Sequence, residues 1–453
     1  MIQVFYRHVN HLAFIILCII VVLLVIDTSI ARLYTIIYGN VFYGNNFDNS
    51  VIWNVLGFAL ITSTCIIIQY ILLKVVINKT KQESMKGHLH LGKVQKLVSG
   101  IQYTIIALFV SITLQMLFTS SYNILVLAAT IGVSYTLGAI MMGYLASRFY
   151  LWFKINKNSV ILAYALASVT LCTNIAITLV YVLNLLADQP LIMRPHIGHM
   201  SAAISENSIP YLVYVSSGII AFMLTWIATS LLMRHHSARL GKAKYWLVLL
   251  IPLGYFFGQF APSLLNFFNE FRAFDPVTFG IIYNLIFGLS KVVGGILFGF
   301  AFWMIARRLE QVQVREYMVI SAYGLILLFV SNQAIFLVNY NYPPFGFATV
   351  SNVGFSCFLI MIGIYSAAIS VGQDVELRKL IRKSAQKEAG LLQHIASAEM
   401  EQQITKTVLS IARKNKAVMT EETGLATSLE DEEVVRYTKE VLQEVMKKKK
   451  FRK

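Results

Sequence analysis

Residues 279–300 read FGIIYNLIFGLSKVVGGILFGF, an apolar run of membrane-crossing length with a lysine, Lys291, at its centre. A helix needs about 20 apolar residues to cross roughly 30 Å of hydrocarbon. Only a helix satisfies its own backbone polar groups there without water. An ammonium in that setting costs about 2.5–3.5 kcal/mol on insertion scales, so the run predicts both a membrane span and a compensating environment for its charge.

Working outward, the same apolar pattern recurs along most of the chain. Ten stretches qualify as spans, at about 11–33, 52–77, 98–118, 123–147, 159–186, 209–233, 245–268, 277–306, 317–338 and 349–372. The third and fourth are divided by the polar turn Thr119-Ser120-Ser121-Tyr122-Asn123. The chain is 57% hydrophobic and 13% charged, against about 25% charged in soluble domains. The expected fold is therefore all-α: a polytopic helical membrane bundle of about ten transmembrane helices over residues 1–372, with a helical cytoplasmic tail over 373–453.

Sidedness follows from the basic residues, which resist translocation near span ends. Arg7, the group from Lys74 to Lys96, the group Arg148, Lys154 and Lys157, the group from Arg234 to Lys244, and the group from Arg307 to Arg315 fall in every second connection. The intervening connections hold Arg32, Arg194 and Arg272. This pattern predicts a multi-pass protein of the cell membrane with both termini cytoplasmic. It also accounts for the net charge of +16 as orientation signal. The basic residues are dispersed over loops with no binding fold around them, so a nucleic-acid partner is not expected. Arg7, the run LAFIILCIIVVLLVI and Ser29-Ile30-Ala31 also resemble a cleavable secretory signal, whose removal leaves nine spans in the same orientation.

Lys291 shares a stripe with Asn284, Gly288, Gly295 and Gly299, spaced by three or four residues and so on one helical face. Gly295 and Gly299 form a GxxxG pair that admits a second helix closely, so Lys291 is expected to face the bundle interior. Asp27 is the other ionisable acid or base well inside a predicted span, and it is the candidate partner of the lysine. Two readings stay open: charged elements of a solute or proton pathway, or a structural ion pair.

Gln69, Gln115, Asn174, Gln259, Asn332 and Gln333 also lie within spans, where the expected role is hydrogen bonding between helices. Asn332 and Gln333, being adjacent, join Lys291, Asp27 and Asn284 as candidate pathway residues. Pro252, Gly254, Gly258 and Pro262 predict a kinked or interrupted seventh span. The two halves of the chain show no convincing repeat.

Cys18, Cys65, Cys172 and Cys357 lie inside spans without a CxxC or a cluster, as packing residues would. Met193, His196, His199 and Met200 in an outer connection are weak candidates for a soft metal, with a solvated loop as the simpler reading. The chain has no P-loop, HExxH, GxSxG or dinucleotide fingerprint. No cofactor is expected, and an enzyme is the minority reading.

Beyond residue 372 the chain becomes charged. Leu377, Ile381, Leu391, Ile395 and Ala398 recur at helical offsets, and Ser428 with Asp431 predicts the cap of a last helix ending in Lys447–Lys450. Val434, Val441 and Val445 give that helix an apolar face to cover, with a helical protein partner or a second copy of the chain as candidates. The terminal KKKKFRK suits contact with anionic lipid, in addition to the bilayer itself. The segments YSAAISVGQDVELRKLIRKSA (365–385), LLQHIASAEME (391–401) and EETGLATSLEDEEVVRYTKEVLQEV (421–445) resemble a group of uncharacterised multi-span archaeal membrane proteins familiar from ammonia-oxidising lineages. The resemblance covers about the last hundred residues. It implies an archaeal cell membrane with a cytoplasmic tail, and it transfers no functional residue.

Two function classes follow from these observations. The spans, Lys291, the polar mid-span residues and a broken helix suggest a transporter or channel-like protein for a small polar solute or ion. The outer loops and helical tail suggest a membrane sensor or scaffold.

Overall fold

A computed structural model describes residues 14–32, 47–84, 89–195, 208–234, 241–260, 269–307, 312–333, 342–372, 405–413 and 431–450. The elements in chain order are α1 (Phe14–Arg32), α2 (Phe47–Ser84), α3 (Leu89–Thr119), β1 (Tyr122–Asn123), α4 (Ile124–Asn156), α5 (Ser159–Ala187) and β2 (Ile192–Met193). They continue with α6 (Ile209–Arg234), α7 (Lys242–Gly258), α8 (Asn269–Phe274), α9 (Pro276–Phe287), α10 (Ser290–Ala306), α11 (Val312–Ser331) and α12 (Phe347–Gly372). Two tail helices follow, α13 (405–413) and α14 (Asp431–Lys450). Helices α1 to α6, α11 and α12 are each long and apolar enough to cross a membrane. The fold is a helical membrane bundle.

Short connections fix neighbouring helices as antiparallel pairs. Asn158 caps α5 by accepting a 2.9 Å bond from the Val160 N–H, while Lys157 adopts a left-handed conformation that closes α4. Only those two residues separate the helices. At the opposite end Asn123 caps α4 through the Leu125 N–H, and Tyr122 and Asn123 pair antiparallel with Met193 and Ile192. This two-residue ladder ties the α3–α4 turn to the chain leaving α5.

Helix α12 is the axis of the bundle: every residue from Phe347 to Ile364 is buried. Lipid tails offer no hydrophobic drive for helices to associate, so close backbone approach has to supply it. Glycine provides that approach on both flanks of α12. A Cβ on Gly324 of α11 would stand 2.7 Å from the Ile360 nitrogen, and one on Gly354 would stand 2.7 Å from the Ser134 carbonyl of α4. Ser134 adds a 2.8 Å hydrogen bond to the Val350 carbonyl, and Gln69 of α2 donates to the Ser351 carbonyl at 3.3 Å. Cys65 and Cys357 are buried in this core, Cys172 donates to the Ala139 carbonyl at 3.2 Å, and Cys18 is exposed on α1.

The GxxxG pair performs the expected packing. Gly295 lies against Phe329 and Gly299 against Ile326 and the Ala322 carbonyl, so α10 seats directly on α11. Phe222 of α6 fills the hollow left by Gly294 and stacks on Phe256 of α7 with ring centroids 3.8 Å apart.

Helix α7 ends at Gly258, inside the span expected at 245–268, whose residues 261–268 with Pro262 lie outside the described ones, and the eighth span carries a break of its own. Helix α7 continues through Pro252 to Gly258, whereas the continuous span expected at 277–306 is divided into α9 and α10 at Gly288-Leu289. Proline removes one donor but leaves the following turns free to resume the helix. Leu289 instead takes φ −93° and ψ 1°, which turns the chain out of the helical ladder. Tyr255 of α7 donates its hydroxyl to the Ile286 carbonyl just before this break, a bond that only the neighbouring helix can supply.

In the tail, Arg413 of α13 reaches the Asp431 carboxylate at the start of α14 with two nitrogens, at 2.9 and 3.1 Å. Val408, Ala412, Val434 and Val441 are buried as a set apart from the core of the bundle. The helix expected after Ser428 is present as α14. The apolar offsets from Leu377 to Ala398 lie outside the described residues.

Candidate functional site

The expected ion pair between Lys291 and Asp27 does not form. Asp27 is fully buried in α1 and turns to α12 instead, where one carboxylate oxygen accepts the Gly346 N–H at 2.8 Å. The other accepts the Thr349 N–H at 3.1 Å and the Thr349 hydroxyl at 2.9 Å. The first N–H groups of a helix have no partner within it, and they carry the positive end of the helix dipole. Asp27 meets both needs from a helix more than 300 residues away in sequence. That demand commits the carboxylate before a lysine can compete for it.

Lys291 stands in the first turn of α10, just past the break, and is half-buried. Among the described residues no hydrogen bond or ion pair holds its ammonium. The charge that it meets is a second cation, Arg32, at the end of α1. Arg32 lies against Gly288, with Nη1 occupying the direction in which a side chain on that residue would project. Its Nη2 donates to the Gln333 side-chain oxygen, and Gln333 is braced in turn by a 3.0 Å bond from its own amide to the Val330 carbonyl. Tyr214 and Tyr283 lie within electrostatic reach of the guanidinium.

A polar network flanks the two cations. Asn332 donates to Asn174 Oδ1 at 2.8 Å, Asn174 donates to Ser217 Oγ at 2.9 Å, and Ser217 returns to the Tyr214 carbonyl at 2.8 Å. The network joins the end of α11 to α5 and α6. Asn332 Oδ1 is buried and has no hydrogen-bond partner among the described residues. On the other side of the break, Ser290 donates to Gln259 Oε1 at 3.4 Å and Tyr283 to the Gln259 carbonyl at 2.7 Å.

The structure thus brings Gln333 and Asn332 to the region of Lys291 and commits the side chains of the other two candidates to bonds of their own. Asn284 donates back to the Gly280 carbonyl, one turn earlier on its own helix, at 3.0 Å. Asp27 serves the α12 terminus. Arg32 is the residue that the sequence left unmarked; its one signal was membership of the three basic residues in the sparsely charged connections.

Of the four metal candidates, Met193 is buried in β2 opposite Tyr122. His196, His199 and Met200 lie outside the described residues, and no group of three His, Cys, Asp or Glu suited to a metal occurs among the described ones.

No family model, curated protein or solved structure matches this chain. The region holds Lys291 and Arg32 at a helix break, with the Gln333 amide and the Ser290 hydroxyl among its polar groups.

Proposed function

We propose that this membrane protein is a transporter or channel-like protein that passes a small polar solute or ion through the region around Lys291. The observation that carries the reading is an ammonium at a break in a membrane helix, facing another cation and held by no described residue. A charge placed for structure alone is matched with an opposite charge or with acceptors, because the membrane gives an unmatched one no solvent. Broken helices at this depth serve transporters by directing helix ends and unpaired backbone groups at a solute. The basic connections favour a cell-membrane orientation with both termini cytoplasmic. In that orientation Arg32 lies toward the outer face.

The test is solute flux in proteoliposomes made from the purified full chain. Lys291→Met is expected to abolish flux while the variant elutes and melts as a folded protein. Unchanged flux in that variant would make the lysine structural and remove the basis of the proposal.

The tail favours a second reading, a sensor or scaffold that signals through its cytoplasmic helices. Its support is the buried set of Val408, Ala412, Val434 and Val441 together with the Arg413–Asp431 pair, which organise α13 and α14 separately from the bundle core. Under that reading, deleting residues 376–453 abolishes signalling and leaves flux absent in both forms.

A further inference from the structure

Resting on the passage of a solute proposed above, we infer that the solute is received at Ser331, Asn332 and Asn352 and is a small uncharged molecule that donates hydrogen bonds. The three side chains share one level of the bundle. A Cβ on Gly324 of α11 would stand 2.9 Å from the Leu359 Cβ of α12, and Gly363 of α12 lies against the Tyr317 carbonyl and Ser321, so the two helices run antiparallel in close contact. Ser331 follows Gly324 by seven residues and Asn352 precedes Leu359 by seven, about two turns in each case, which puts both on the facing sides of their helices. Asn332 comes next, its N–H still bonded to the Leu328 carbonyl at 2.9 Å, and its amide reaches Asn174 midway along α5.

Each of the three carries an unused oxygen. Ser331 and Asn352 are fully buried, and Ser331 Oγ, Asn332 Oδ1 and Asn352 Oδ1 have no hydrogen-bond partner among the described residues. What the amide nitrogens do fixes which atoms are left over. Asn352 donates to the Ala348 carbonyl at 3.1 Å, a contact that only its nitrogen can make. Asn332 donates to Asn174 Oδ1, because the Asn174 nitrogen is given to Ser217, whose hydroxyl in turn serves the Tyr214 carbonyl. Both remaining amide atoms are therefore acceptors, and the Ser331 hydroxyl can accept beside them. Buried acceptors without a donor are costly, and an occupant bringing O–H or N–H groups removes that cost.

The same atoms select against ions. An anion would set oxygen against oxygen. A hard metal cation takes about six or more oxygens, whereas this level offers three neutral ones, and the Asp27 carboxylate at the start of α12 is bound to Gly346 and Thr349. Water, urea and small polyols share the donor chemistry.

A density map of the purified full chain, fine enough to place solvent, tests the site without any variant. Density is expected at about 2.7–3.2 Å from Asn352 Oδ1 and from Ser331 Oγ or Asn332 Oδ1. A dry site overturns the inference, and so does a peak ringed by oxygens at about 2.3–2.6 Å, which marks a metal ion.

Stopped-flow light scattering on proteoliposomes under sucrose, urea and glycerol gradients separates the three solutes and tests passage. At least one of water, urea and glycerol is expected to cross faster than in protein-free vesicles. Asn352→Leu, which exchanges the amide for an apolar side chain of similar size, is expected to slow it at least tenfold; should that variant not elute as a folded protein, Ser331→Ala decides with a loss in the same direction. Flux equal to the wild type in the folded variant overturns the inference and leaves passage standing, as does flux confined to sodium or chloride. An occupied site in a protein that passes no solute supports the donor site and overturns passage.

Discussion

Asp27 caps the N-terminus of α12 through Thr349, whose backbone N–H and hydroxyl both donate to one carboxylate oxygen, at 3.1 and 2.9 Å. With the Gly346 N–H on the other oxygen, one side chain of the first membrane helix fixes the start of the most deeply buried one. Asp27→Ala is expected to destabilise the bundle by about 2–3 kcal/mol, because hydrogen bonds to an ionised group are strong and the α12 donors would be left buried. Asp27→Asn keeps one acceptor oxygen and is expected to lose less. Unfolding of the purified variants in detergent measures the order: wild type, Asn, Ala.

Glycines at helix crossings should respond according to what stands opposite them. Gly299→Leu drives its side chain into Ile326 and the Ala322 carbonyl and is expected to cost about 1–3 kcal/mol. Gly57→Ala meets nothing within 4 Å and is expected to be neutral or stabilising by up to about 1 kcal/mol. Comparing their melting temperatures checks both; equal effects would contradict the close seating of α10 on α11.

The Asn332–Asn174–Ser217 network predicts energetic coupling between α11 and α5. A double-mutant cycle on Asn174→Ala and Asn332→Ala is expected to give a coupling of about 0.6–1.7 kcal/mol, the range of polar contacts between membrane helices. The residual for Asn174→Ala paired with Gln115→Ala is expected near zero, since Gln115 serves Ser111 and the Asn123 N–H elsewhere in the fold.

Topology is open to direct labelling at the two ends of α5, a helix of 29 residues and about 43 Å. Lys157→Cys and Asp188→Cys, each in a background with Cys18, Cys65, Cys172 and Cys357 changed to alanine, are expected to react with an impermeant maleimide from opposite sides. The site at 157 is expected on the cytoplasmic side. Modification of both from one side would remove the span.

The residues that were legible in the sequence carry local patterns. Gly295 and Gly299 announced a close crossing because four-residue spacing defines a helix face whatever the partner, and the partner proved to be α11. Asn174 and Gln69 hydrogen-bond between helices as expected, since a polar group in hydrocarbon has little alternative, whereas Gln115 serves Ser111 in its own helix and the turn that follows. The errors were errors of choice between partners. Lysine and aspartate in two spans looked like a pair, but the start of α12 offered Asp27 three donors at once. The break at Gly288-Leu289 in the eighth span has no proline to announce it.

By itself the sequence determined that this chain is a helical membrane bundle, because apolar length and backbone hydrogen bonding leave lipid-embedded protein few other forms. It determined also that Lys291 shares one helical face with Gly288, Gly295 and Gly299. Only the tertiary structure decided which charges meet. Arg32 reaches Gln333 across 301 positions and Asp27 reaches Gly346 across 319, and no short-range pattern encodes which helix ends will share a layer. Where α1, α11 and α12 end relative to one another therefore decided the partners of both side chains.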